Sequence, residues 1–110
     1  MAPEVELKAH WFQILLAVSD TRRHGSGIRD EVLKQTDGRM RLWPTSLYGS
    51  LKQLVDDGHL RETPLEGVEG HGDRRRFYEI TDRGREALAR ELGRLRDTIA
   101  IAASKRVPAG

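Results

Sequence analysis

Arg74-Arg75-Arg76-Phe77-Tyr78-Glu79-Ile80-Thr81 carries three consecutive cations into an alternating aromatic and aliphatic stretch that stops at a threonine suited to cap a helix. Alternation of this kind predicts a half-buried β-strand. Upstream lies a turn-rich segment, Glu66-Gly67-Val68-Glu69-Gly70-His71-Gly72-Asp73, and before it a second strand-like run from Leu60 to Leu65. The three pieces together predict a β-hairpin with a long tip. Guanidinium groups on one side of such a hairpin can neutralise backbone phosphates without reading base sequence. The same arginines also fit a solvated strand edge that guards against aggregation, and the hairpin alone does not choose between the two readings.

On the N-terminal side of the hairpin, helical periodicity takes over. Leu7, Trp11, Ile14, Leu15 and Val18 fall on one face of a first helix, with Pro3 placed before it. The break at Thr21-Arg22-Arg23-His24-Gly25-Ser26-Gly27 precedes a short second helix that buries Ile28, Val32 and Leu33. Ser26 is the expected cap, and Asp30 and Glu31 follow near the positive end of the helix dipole. This helix should end near Thr36, and Arg39 to Trp43 alternates loosely enough to suggest a short strand. Pro44 opens a third helix with the apolar stripe Leu47, Leu51 and Leu54, closed at Asp56-Asp57-Gly58. After Thr81-Asp82 a long amphipathic helix runs to about Ala103.

Helix, short helix, helix and hairpin is the order of a winged helix-turn-helix, an α+β architecture that offers its third helix to the DNA major groove. Turning Leu47, Leu51 and Leu54 inward turns Thr45, Gly49, Lys52 and Asp56 outward, with Tyr48 and Gln53 on the flanks. Thr45 and Gln53 suit base edges, Lys52 suits guanine or phosphate, and Gly49 permits close approach. Asp56 is expected where the helix leaves the groove, since a carboxylate facing phosphates would be repelled. In the last helix Leu88, Leu92, Leu95, Ile99 and Ala102 recur at heptad spacing, which predicts a seam between two copies of the chain. The alternative is that this stripe packs on Trp11 and Ile14 of its own chain. A dimer would set two recognition helices about 34 Å apart, matching a palindromic operator.

Size and composition fit this reading. The chain has 110 residues, which suits one domain: residues 1–80 as the DNA-binding region and 81–106 as its C-terminal dimerisation helix. With 19 Lys+Arg against 17 Asp+Glu the net charge is only +2, so the distribution of charge has to argue for nucleic acid. It does so from Gly38 through Val55, a window with Arg39, Arg41 and Lys52 and no acidic residue. Without cysteine the chain has no disulfides, thiolate metal sites or cysteine nucleophiles. No apolar run approaches a membrane span, and Glu4 and Glu6 spoil a signal-peptide pattern, so a cytoplasmic protein is expected.

Five segments taken together resemble the PadR family of bacterial transcriptional regulators. They are Lys8 to Leu16, His24-Gly25-Ser26-Gly27-Ile28, Leu42-Trp43-Pro44-Thr45-Ser46-Leu47-Tyr48-Gly49-Ser50-Leu51, Asp57-Gly58-His59-Leu60, and Arg74 through Gly84. Pro44-Thr45-Ser46-Leu47-Tyr48 is similar to the family's proline-x-threonine-leucine-tyrosine signature, and Ile80-Thr81-Asp82-Arg83-Gly84 to its leucine-threonine-x-x-glycine ending. The resemblance implies a homodimeric repressor with a single C-terminal helix, some members of the subgroup responding to phenolic compounds or to drugs held at the dimer interface, so a repressor relieved by a small aromatic effector is expected. Ser26 departs from the family's usual tyrosine, Ser46 from its threonine, and Glu66 and Glu69 make the hairpin tip acidic.

The expected contacts are therefore Thr45, Ser46, Tyr48, Gly49, Lys52, Arg74, Arg75 and Arg76 for DNA, and Leu88, Leu92, Leu95 and Ile99 for the dimer. Trp11 and Phe12 are candidates for stacking on a small aromatic effector, although core packing is the plainer role for Trp11, and more so for Trp43. No enzymatic chemistry, metal or cofactor is expected. His10, His24, His59 and His71 lack ligand spacing, Gly67, Gly70 and Gly72 do not lead a strand into a helix, and Ser46 and Ser50 have no identifiable histidine and carboxylate partners. The competing function is a winged-helix adaptor that binds protein without DNA, which would favour an acidic or apolar third-helix face.

Overall fold

The computed structural model describes residues 7–64 and 76–110. In chain order the elements are α1 (Ala9–Ala17), β1 (Arg23–His24), α2 (Gly25–Gln35), α3 (Pro44–Asp56), β2 (Leu60–Pro64), β3 (Arg76–Ile80) and α4 (Asp82–Ser104). Three antiparallel strands order as β1-β3-β2, with Leu60 opposite Ile80 and Thr63 opposite Phe77. This is the winged helix the sequence predicts. Its core gathers Ile14 and Leu15 of α1 and Val18 just after it, Ile28 and Val32 of α2, Leu47, Leu51 and Leu54 of α3, and Leu60, Tyr78 and Ile80 of the sheet. Each helix gives the core the stripe that its 3.6-residue period dictates.

Three local expectations are corrected. Residues 39–43 form no strand; the third strand is β1, two residues that pair with Phe77 and Tyr78 on the free edge of β3. Ser26 does not cap α2. It lies inside the first turn, and His24 occupies the cap position with its Nδ1 accepting from the Gly27 amide at 3.1 Å. Trp43, expected in the core, is 65% exposed. Its backbone is extended, as the residue before a proline must be, and that carries the indole away from the apolar stripe of α3.

The two family-like motifs that flank the hairpin meet in space. Gly58 stops α3 with a φ of 82°, and its carbonyl accepts from Thr81 Oγ1 at 2.6 Å. The same hydroxyl accepts from the Gly84 amide at 3.0 Å and so caps α4. Gly84 itself lies against the His59 carbonyl, where no Cβ would fit. Threonine and glycine at these positions therefore fix the end of α3 to the start of α4.

Along α4 the apolar seam divides. Leu88 is buried in the chain's own core at 6% exposure, whereas Leu92, Leu95 and Ile99 remain 46%, 43% and 54% exposed. The buried residues of α4, Gly84, Ala87 and Leu88, all lie in its first two turns, so the chain's own core covers Leu88 and not the seam beyond it. Leu88, expected at the interface, thus lies in the core of its own chain.

Candidate nucleic-acid interface

α3 presents the polar face that its apolar stripe requires. Leu47, Ser50, Leu51 and Leu54 are buried, and Thr45, Ser46, Gly49, Lys52, Gln53 and Asp56 are exposed. A Cβ added to Gly49 would meet nothing within 4 Å, so the chain has no internal packing reason for glycine there. A glycine in a helix interior costs about 1 kcal/mol relative to alanine. That cost without a packing benefit is consistent with a surface that another molecule approaches closely.

Two of the expected contact residues have internal partners as well. Lys52 Nζ lies 2.9 Å from Asp56 Oδ2, one helical turn on, with both side chains mostly exposed. Pairs of this kind contribute only about 0.3–0.5 kcal/mol, so the ammonium can change partners cheaply. Tyr48 is half-exposed, and its hydroxyl sits over the start of α2, where a Cβ on Gly25 would come within 2.7 Å. Its ring therefore helps to seat α3 on α2, a role not anticipated from the sequence. Gln53 Nε2 donates to Asp57 Oδ1 at 3.0 Å.

The hairpin carries an unexpected electrostatic pattern. Arg76 Nε lies 2.9 Å from Glu62 Oε1, and Arg61 Nη1 lies 2.9 Å from Glu79 Oε1. Two cations on the described strands are thus matched by two carboxylates across the ladder. Arg61 and Glu79 are direct opposites in register, which a strand-by-strand reading of charge misses and a register reading would find. Arg74, Arg75 and the acidic tip with Glu66 and Glu69 lie outside the described residues. On β3 the Arg22 guanidinium stacks 4.6 Å from the Phe77 ring centre.

Trp11 and Phe12 are partly buried and pack against the core, and Lys8 Nζ stands 4.7 Å from the Trp11 ring centre. The structure does not bring them together with the α3 face. His59, between the end of α3 and α4, has a pKa lowered first by burial and then by the Arg83 guanidinium, with Asp57 opposing and Arg90 reinforcing. His10 is lowered by burial and by Lys8. Among the described residues no three metal-ligating side chains converge, and no helix is long and apolar enough to cross a membrane.

Comparison with known proteins agrees with this geometry. The model of the transcriptional regulator PadR-like family matches residues 14–90. A transcriptional regulator from Clostridium thermocellum superposes with a TM-score of 0.71 at 20% identity, covering 86% of this chain and 89% of the other. A PadR family regulator from Clostridium difficile gives 0.68 at 17% identity, covering 88% and 97%. Bacillus subtilis PadR, solved in complex with operator DNA, gives 0.67 at 20% identity and covers 77% of this chain and 47% of its own length. No curated protein matches the chain.

Proposed function

Because the chain belongs to the PadR-like family of transcriptional regulators, we propose that it works as a homodimer that binds a palindromic operator in the cytoplasm and represses transcription. The observation that carries the reading is the α3 surface: Thr45, Ser46, Gly49 and Lys52 are exposed on one side of a helix whose other side is locked into the core. Thr45 and Ser46 supply hydroxyls for base edges, Gly49 lets the helix approach, and Lys52 exchanges Asp56 for guanine or phosphate. Tyr48 joins this surface through the exposed half of its ring. Arg74, Arg75 and Arg76 of the wing take phosphates, Arg76 by releasing Glu62. The adaptor alternative would want an acidic or apolar α3 face, and this one is polar.

In this reading residues 1–80 bind DNA and residues 81–106 dimerise. Leu92, Leu95 and Ile99 support it, since three large aliphatic side chains at heptad spacing stay exposed on a single chain. Gly93 supports it as well, because a Cβ there would find only Arg96 Nη2, at 3.8 Å. A glycine without an internal reason beside an exposed seam suits two helices in close contact. Trp11 and Phe12, on the helix that packs beside α4, would line a cavity at the interface for a small planar aromatic effector. Such a ligand relieves repression only if it binds the DNA-incompetent spacing of the recognition helices more tightly than the competent one.

The test is a gel shift with DNA from upstream of the chain's own gene, with sedimentation of the free protein alongside. A retarded band that survives excess scrambled duplex, and a dimer in solution, are the expected results. Equal competition by scrambled duplex, or a monomer at micromolar concentration, would overturn the reading.

A further inference from the structure

The segment that leads into α3 holds an unassigned surface. Arg29, Asp30 and Leu33 of α2 face Arg41, Trp43 and Pro44 across a half-open groove of about 440 Å³. Trp43 is the most exposed large hydrophobic residue of the described chain. Pro44 keeps its backbone extended, at φ −79° and ψ 153°, so the indole stands off the protein instead of folding onto it. The indole is not among the side chains that form the core or pack against it.

Charge marks the same place among the cations of α2, α3, the segment between them and the described hairpin strands. Lys52, Arg76 and Arg61 each lie 2.9 Å from a carboxylate, and Arg29 lies 3.4 Å from Asp30. Arg39 donates its Nε to the Thr36 carbonyl at 3.0 Å. Arg41, by contrast, is exposed and has neither an ion pair nor a hydrogen bond among the described residues. A phosphate that meets a paired cation must first displace a carboxylate, whereas one that meets Arg41 displaces only water and counterions. The Asp30 carboxylate on the far wall is held by Arg29, which leaves the groove with a net positive charge.

We infer that this groove receives the sugar–phosphate backbone of one DNA strand, with Arg41 on a phosphate and the Trp43 indole against a deoxyribose. Arg41, which has no carboxylate to displace, then supplies a stronger phosphate contact than Arg76. The position decides between a duplex and a small ligand. Arg41 and Trp43 lie four and two residues before Thr45, so a duplex engaged by the first turn of α3 has to run its backbone past them. The half-open shape leaves a small molecule largely in water but accepts a strand that continues beyond both ends.

The inference rests on the DNA-binding reading, and the test separates the two. Affinity is measured against salt concentration for the parent, Arg41→Gln, Trp43→Ala, Arg76→Gln and Thr45→Ala, each on the upstream fragment and on a scrambled duplex of equal length. Arg41→Gln should weaken both duplexes alike and reduce the salt slope by about 0.9 for each protomer. Trp43→Ala should weaken both about tenfold with the slope unchanged, since an indole carries no charge. Arg76→Gln should change the slope less than Arg41→Gln. Thermal unfolding of Arg41→Gln and Trp43→Ala should match the parent, because both side chains are exposed.

If the parent binds both duplexes equally, sequence-specific recognition fails, yet the scrambled duplex still tests the groove. If Thr45→Ala loses the upstream fragment while Arg41→Gln and Trp43→Ala retain parent affinity and slope, the groove assignment is wrong and the operator reading stands. Absence of binding to any duplex at low salt overturns both. Loss on the upstream fragment alone would make these two residues base readers, and would equally overturn the backbone assignment.

Discussion

Replacing Gly49 with alanine should make the protein more stable and worse at binding DNA. The residue lies in the middle of α3, its φ is not in the left-handed region, and a Cβ there touches nothing within 4 Å. Alanine in a helix interior is favoured over glycine by about 0.8–1.0 kcal/mol. For a chain of 110 residues, a melting entropy of about 2.1 cal/mol/K per residue turns this into a rise of about 4 °C in Tm. On operator DNA the same methyl would enter a contact that glycine leaves room for, and overpacking of that kind costs about 1–3 kcal/mol at each half-site. Calorimetry and a titration of labelled operator duplex measure the two effects on one preparation. A more stable variant with unchanged operator affinity would remove Gly49 from the DNA contact. A less stable variant would refute the argument at its root, since it would mean that the space around Gly49 is already filled in the free protein.

Three further outcomes are expected. Leu95→Glu should turn the dimer into a monomer in sedimentation experiments while far-ultraviolet circular dichroism stays close to the parent, because Leu95 lies outside the chain's own core; a stable dimer would move the interface elsewhere. Thr81→Ala removes both the bond to the Gly58 carbonyl and the cap on the Gly84 amide, and should lower unfolding free energy in urea by about 1–2 kcal/mol; a loss within error would show that neither bond matters. Stability should also fall on acidification. His59 and His10 both have folded pKa values below the ordinary 6.5, so the unfolded chain takes up protons that the fold refuses. Their contribution is complete above the unfolded value and declines as pH drops from there toward the folded one. His59→Gln should flatten this decline in urea titrations run between about pH 7 and about pH 5, and an unchanged slope would mean that His59 is not among the groups responsible.

Much of the fold was legible because its signals are local. Pro44 at the start of α3, Gly58 at its end, the cap at Thr81 and the alternation of Phe77, Tyr78, Glu79 and Ile80 act through neighbouring backbone, and the structure has each element where these residues place it. The polar face of α3 followed in the same way, since burying Leu47, Leu51 and Leu54 leaves Thr45, Gly49 and Lys52 only one direction to point. What required the tertiary structure is everything that depends on a partner distant in sequence. β1 is too short to announce itself and exists because β3 offers it an edge. His24 displaced Ser26 as the cap of α2 because pairing with Phe77 extends the strand up to the helix. Arg76 read as a free cation until the fold set Glu62 beside it, and Arg61 and Glu79 meet only through the register of the hairpin. The seam of α4 shows most clearly where sequence stops. Its heptad spacing makes Leu88, Leu92, Leu95 and Ile99 equivalent, and only the packing of the rest of the chain decides that the first is covered and the others are left exposed. A periodic stripe states that a face is apolar; the path of the rest of the chain determines what covers it.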